Sequence, residues 1–248
     1  MSPSILSAVS SISSTIRSSV HKTWNYVSIT GLGRSDHTSN PGDWPKAICR
    51  LDLYTNPGTE PPAVGTGFFL NVPGMTKDVL VTAGHNLIRP PTDPGSKPKR
   101  TPKIGIRCHD VKGNPTTVLV TDADYHITEQ YEQSQAPENA VHDYGIILLD
   151  RLQSDNGDPQ PRIGFGFNVL LAAMDLHSEE QGVELSALVG GYPGKENKSE
   201  TPHYRQGTGT FGKHEDRQVL YNAGTDEGMG GGPVWVNYGG EDIVVGIQ

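Results

Sequence analysis

Disulfides, long apolar runs and concentrated positive charge are all scarce in this sequence, and each shortage narrows the reading. Only two cysteines occur among 248 residues, Cys49 and Cys108. That is too few for the disulfide framework of a secreted domain, so a reducing, intracellular and cytoplasmic setting is expected, with mitochondrial or membrane-peripheral placement as the alternatives. Each thiol sits in an apolar run (AICRL and IGIRC), where it reads as a buried packing group, one disulfide between them being the other reading. No apolar run approaches the ~18 residues needed to cross a bilayer. The formal net charge is −8, and the one basic cluster, SKPKR at 96–100, reads as a solvated loop. A nucleic-acid partner, which needs a concentrated basic face, is not expected.

What the chain has in abundance is glycine and proline, 30 and 19 residues, spread along its length. From Trp44 onward, short runs rich in Val, Ile and Thr alternate with turn residues: WPKAICRLDLY, VGTGFFLNV, DVLVTAGH, KIGIRCHDV, TTVLVTDADYHI, YGIILLD, VELSALVGGYP, GTGTFG, QVLYNAG, GPVWV and DIVVGIQ. Runs this short, with β-branched residues, predict strands and an all-β fold. By composition DPGSKPKRTP and EQSQAPENAVH are surface loops.

Residues 1–43 differ in character. Ile5, Val9, Ile12, Ile16, Val20, Trp24 and Val27 follow one another at steps of four or three, which places them on one face of an amphipathic helix opposite a serine-rich face. Three readings stand for this segment: a helix packed on its own domain or a partner chain, a membrane-surface or mitochondrial-type targeting helix, or an unstructured stretch, serine being a mediocre helix former. A membrane surface or a protein is therefore the partner expected through residues 5–27. The basic start and unbroken apolar centre of a secretory signal are lacking. SDHTSNPGD at 35–43 reads as a linker.

Three landmarks carry chemistry. VGTGFFL…LVTAGH puts His85 just past a buried strand, HDYGIILL puts Asp143 immediately before another, and TDEGMGGGPVW at 225–235 is a glycine turn running into a strand. Each has a plain structural reading: a turn histidine, a capping aspartate, a turn that needs positive φ. The other histidines, among them His109, His126, His142, His203 and His214, fall in no zinc-ligand spacing, so neither metal nor cofactor is expected.

Taken in order, the three landmarks resemble the trypsin-like serine protease superfamily, and within it the glutamyl-endopeptidase branch. The wording of that branch recurs in the GTGF strand, in TAGH, in Gly191-Tyr192-Pro193, and in a Thr a few residues before the nucleophile. The resemblance covers 44–248. It implies two antiparallel six-stranded β-barrels, about 44–130 and 140–248, with a peptide substrate in the cleft between them. It further implies His85 as general base, Asp143 as its orienting carboxylate, and an oxyanion hole from the amides of Gly228 and Gly230. Thr225 and Gln248 fall where the branch contacts an acidic side chain, Gln248 standing in place of a His. A further strand and a C-terminal helix are implied beyond Gln248, so the second barrel is expected to be truncated.

One position departs. The nucleophile of the resembled family falls on Gly230, and no Ser follows Ser199 and no Cys follows Cys108. The expectation is thus an endopeptidase-type domain that is inactive or severely impaired, because acyl-enzyme chemistry needs an oxygen or sulfur nucleophile. A natural pseudoprotease that binds or scaffolds peptides, and a regulatory or effector module recruited through the N-terminal helix, are the alternatives. Met229 stands where zymogen-activated trypsins carry Asp, which removes activation by ion pairing with a new N-terminus.

Overall fold

A computed structural model describes residues 44–55, 62–91, 96–167, 186–194, 204–215, 218–238 and 241–248. The expected amphipathic helix at 5–27 and the linker at 35–43 lie outside the described residues.

The described residues build two large sheets and two two-stranded ones. The first is formed by β1 (Ile48–Tyr54), β2 (Ala63–Leu70), β3 (Asp78–Thr82), β6 (Lys103–His109), β7 (Pro115–Thr121), β8 (Tyr125–Ile127) and β9 (Gly145–Leu149), in the order β7-β6-β1-β2-β3-β9-β8. Every neighbouring pair in it is antiparallel. Between β3 and β6 come the two-residue strands β4 (Ile88–Arg89) and β5 (Lys99–Arg100), which pair with each other. After β9 come β10 (Leu152–Gln153) and β11 (Pro159–Gln160), also paired. The second sheet contains β12 (Gly166–Phe167), β13 (Ser186–Gly191), β14 (Arg205–Glu215), β15 (Gln218–Tyr221), β16 (Pro233–Tyr238) and β17 (Glu241–Ile247), in the order β12-β17-β16-β13-β14-β15. Its pairs are antiparallel except β12 with β17.

The all-β class expected from the short runs is therefore the class observed, although the first run does not begin as a strand: WPKA forms a single helical turn, α1 (Trp44–Ala47), directly before β1. The first sheet has seven strands rather than six, because Tyr125–Ile127 forms its own short ladder on β9. It also reaches to Leu149, because β9 pairs with β3 along its whole length.

Alternation explains the cores. On β1, Cys49, Leu51 and Leu53 enter one apolar cluster with Leu80, Ile104, Ile106 and Ile147, while Ile48 on the opposite face joins a second cluster. That second cluster draws on both sheets, with Phe68 and Val81 from the first and Trp235 from the second. Phe165 stands between them, edge-on to Phe68 at 6.0 Å and tilted against Trp235 at 5.3 Å. A third cluster, including Val189, Phe211 and Val236, belongs to the second sheet.

Several charged residues that interrupt or flank these runs are paired where they lie. Asp52 accepts from Arg50 at 2.8 Å and from Arg107 at 2.7 Å. The buried Arg162 donates to Asp78 at 2.6 Å and to the Asp150 carbonyl at 2.8 Å. Arg100, in the basic cluster read as a solvated loop, is anchored to Glu132 at 2.7 Å. Cys49 and Cys108 are both free and buried, so the packing reading holds and the disulfide reading does not. Burial pushes both thiols above the ordinary range.

Candidate active site

Strand pairing brings the first two landmarks together. Thr82, the last residue of β3, lies opposite Gly145, the first residue of β9. The chain leaving β3 turns at once into a single helical turn, α2 (Gly84–Leu87), which carries His85. The chain entering β9 delivers Asp143 from a 3₁₀ turn, Pro137–His142. Residues 58 positions apart in sequence thus meet because two neighbouring strands share one end.

Their contact is double. Asp143 Oδ2 lies 2.7 Å from His85 Nδ1, and Asp143 Oδ1 accepts from the His85 backbone amide at 2.8 Å. A carboxylate only accepts, so Nδ1 carries the proton and Nε2 of the neutral ring carries the lone pair. The His85 side chain remains 47% exposed.

The stretch expected to be the loop EQSQAPENAVH holds more order than its composition suggests. It contains the end of a short helix, α3 (Glu129–Gln133), and the 3₁₀ turn with Pro at its start. Thr128 Oγ1 donates to the His142 carbonyl at 2.6 Å and ties the two together. The helix brings in a residue that sequence reasoning missed, Tyr131, which is buried in the first core. Its phenol is pushed up to about 12 by burial, then by the charge of Asp143. A Cβ on Gly84 would lie 2.8 Å from the Tyr131 ring and 3.0 Å from Asp143 Oδ1, so glycine is what lets ring and carboxylate close in. The available signal was a lone aromatic in the polar run TEQYEQSQ.

The third landmark lies against the first sheet. Thr66 N and Asn86 Nδ2 both donate to the Gly230 carbonyl, at 3.1 and 2.9 Å. Thr66 Oγ1 donates to the Gly228 carbonyl at 2.9 Å. The Glu227 carbonyl accepts from Gly194 N, and the Met229 carbonyl from Gly232 N. Peptide bonds here are trans, so the amides of Gly228 and Gly230 point away from those engaged carbonyls. No backbone carbonyl among the described residues accepts from either amide. Met229 is 1% exposed, and its sulfur accepts from Asp226 N at 3.4 Å, so it is a packing residue of the loop.

Three glycines of this turn differ in kind. Gly228 and Gly231 have φ of 96° and 88°, where only glycine is at ease. Gly230 is not among the positive-φ glycines. A Cβ built on it would lie 2.9 Å from His85 Nε2 and 3.3 Å from Cε1, with nothing else among its near neighbours. The backbone does not require glycine at 230, and the side chain that is missing there would point at the histidine.

Of the remaining expected site residues, Gln248 joins the turn through its backbone, with Gly231 N donating to its carbonyl at 2.6 Å and its own amide donating to Gly232 O at 2.9 Å. Its Oε1 is buried with no hydrogen-bond partner among the described residues. Thr225 is exposed, on the segment between β15 and β16, and no described hydrogen bond joins it to His85 or Gly230.

No family model matches the chain, and no curated protein does. Among solved structures it is similar to trypsin-like serine proteases. A thermostable serine protease, AL20, from an extremophilic microorganism is 17% identical, with 82% of this chain and 84% of that one covered at a TM-score of 0.48. A Glu endopeptidase in complex with MPD is 16% identical, with coverage of 87% and 82% and a TM-score of 0.49. The scabies mite inactivated protease paralogue S-D1 is 16% identical, with coverage of 82% and 79% and a TM-score of 0.45.

Proposed function

We propose that this chain is an endopeptidase-type domain that takes a peptide into its cleft and is halted before acyl-enzyme formation by Gly230. His85 acts as the base and Asp143 fixes its tautomer and ring orientation. The amides of Gly228 and Gly230 are the donors for an oxyanion. A serine at 230 would give its proton to His85 Nε2 as its oxygen attacks the scissile carbonyl, and the tetrahedral oxyanion would be held by the two amides. With glycine the base has no hydroxyl to deprotonate. Loss of the nucleophile costs on the order of 10⁶ in rate in a serine protease.

The observation that carries this reading is the 2.9 Å between His85 Nε2 and the Cβ position of residue 230. A separation that short is relieved by a small movement of an exposed ring, so a serine fits there without disturbing the loop. Thr225 and Gln248 are proposed to meet the side chain preceding the scissile bond. The neutral amide of Gln248 can donate to an acidic group there.

Gly230→Ser is the test. The folded variant should react with a fluorophosphonate probe, the native chain should not, and adding His85→Ala should abolish labelling. A folded Gly230→Ser protein that takes up no probe would sink the reading. Cleavage by this variant after basic or aromatic residues in a peptide library would remove the acidic preference.

A further inference from the structure

The turn that halts acyl-enzyme formation still faces a base, leaves room for an oxygen beside it, and carries two amides that no described backbone carbonyl engages. Resting on the reading above, we propose that the chain with Gly230 as it stands hydrolyses activated carboxylic esters in one step, water attacking directly under general-base assistance from His85.

Three observations converge on this. The Asp143 contacts at 2.7 and 2.8 Å hold Nδ1 as the donor and leave Nε2 as the acceptor. A hydrogen bond to Nε2 needs an oxygen within about 3 Å. The space where it would sit is the space a Cβ at 230 would occupy, 2.9 Å from Nε2. Solvent reaches the ring, since the His85 side chain is 47% exposed. The Gly228 and Gly230 amides, which no described backbone carbonyl engages, are the donors for the charge that develops on the ester carbonyl oxygen. Neither neighbouring glycine offers the same approach. A Cβ at Gly231 would meet Thr66 O, Thr82 Oγ1 and Ala83 N, and one at Gly228 would meet Gly194.

The step balances without a further reactant. The water oxygen bonds to the ester carbonyl carbon as its proton passes to His85 Nε2, and the carbonyl electron pair moves to the oxygen held by the two amides. The intermediate collapses by expelling the phenolate, giving a carboxylic acid, and the proton on Nε2 returns to solvent or to the phenolate. No bond to the protein forms. The substrate class follows from the leaving group. A phenolate departs without being protonated, whereas an amide nitrogen needs a proton delivered as its bond breaks, which favours activated esters over peptides. Methanol, small enough for the same position, should compete with water and give the methyl ester.

The experiment uses the native chain and p-nitrophenyl acetate. A rate on the order of 10³ over buffer is expected, most of it from general-base assistance and the remainder from the amides that hold the oxyanion. His85→Ala should remove about 10² of it, the usual contribution of a general base. Gly230→Val, which fills the approach to Nε2 while leaving His85 in the chain, should lower it as well, circular dichroism reporting the fold of both variants. Intact-protein mass spectrometry should show no acetylated chain and no initial burst should appear, while added methanol should yield methyl acetate. A rate equal to buffer, a rate that survives His85→Ala in a folded protein, or an acetyl group trapped on His85 would each overturn the proposal. If Gly230→Ser takes the fluorophosphonate and the native chain turns over no ester, this inference alone is lost. If neither reacts, the reading of the site goes with it.

Discussion

Asn86, the residue after the histidine, donates its side-chain amide to the carbonyl of Gly230 at 2.9 Å. The same amide reaches Thr82 Oγ1 at 2.9 Å and Thr66 O at 3.4 Å. One buried side chain thereby ties the turn that carries the base to the turn that faces it. Gly65 makes room for it, since a Cβ there would lie 2.7 Å from Asn86 Oδ1. Asn86→Ala should cost ~1–3 kcal/mol, because the acceptors it leaves are buried. The cost should appear as a lower urea midpoint at unchanged slope. In the Gly230→Ser background the same change should slow fluorophosphonate labelling, because the Gly230 carbonyl loses one of its two donors. An unchanged midpoint would mean that the amide does not hold the turn.

Neighbouring glycines should answer alanine in opposite ways. At Gly231 a methyl group faces a φ of 88° and contacts with Thr66 O, Thr82 Oγ1 and Ala83 N. Backbone strain of ~1–2 kcal/mol and overlap of ~1–3 kcal/mol should add there. At Gly230 the φ is permissive and the only close neighbour is an exposed ring, so Gly230→Ala should stay within ~0.5 kcal/mol of the native chain, as surface changes do. Thermal or urea unfolding of the two variants side by side decides it. Equal destabilisation would show that Gly230 is needed for the backbone and not for what faces His85.

Period and turn chemistry made much of this legible beforehand. DVLVTAGH and YGIILL read as buried strands because both alternate faces are apolar, and strands buried on both sides show little polar alternation. Those two strands pair, and that pairing sets His85 beside Asp143. Tyr131 and the short helix carrying it were not legible, because EQYEQ is polar and its one aromatic is buried by tertiary contact alone. Nor was the difference between Gly230 and its neighbours at 228 and 231. Letters do not show φ, and three glycines in a row of turn residues look alike until the backbone separates them.

His109, the last residue of β6, should make stability depend on pH. Burial holds its imidazole below the ordinary histidine range, and the nearby charge of Lys46 pushes the same way while Asp110 opposes both. Its Nδ1 is buried with no hydrogen-bond partner among the described residues. A base whose folded value is depressed is favoured neutral in the fold. The unfolded chain therefore binds more protons between that depressed value and about 6.5, and stability rises with pH across this interval. The contribution is fully present above about 6.5 and is lost as the pH falls through the interval. Urea midpoints at several pH values should fall on acidification in the native chain and fall less in His109→Gln. Parallel curves for the two proteins would assign the loss to other groups.

Tyr131 should be felt at His85 although the two belong to different elements. Burial, then the nearby charge of Asp143, pushes its phenol up to about 12, and both oxygens of that carboxylate already accept from His85. A hydroxyl donating from a third direction would draw charge off the carboxylate and weaken its pull on the Nδ1 proton. Tyr131→Phe keeps the buried ring and removes only this donor. The hydrogen bond from His85 Nδ1 to Asp143 should then strengthen, and the Nδ1 proton resonance of the native Gly230 chain should move downfield. Stability should drop by about 1.5–3 kcal/mol, the usual worth of a hydrogen bond to a charged group. A purely packing role for Tyr131 predicts neither change, because phenylalanine fills the same volume. A Nδ1 resonance that stays in place while the fold is intact would therefore leave Tyr131 as core and nothing more.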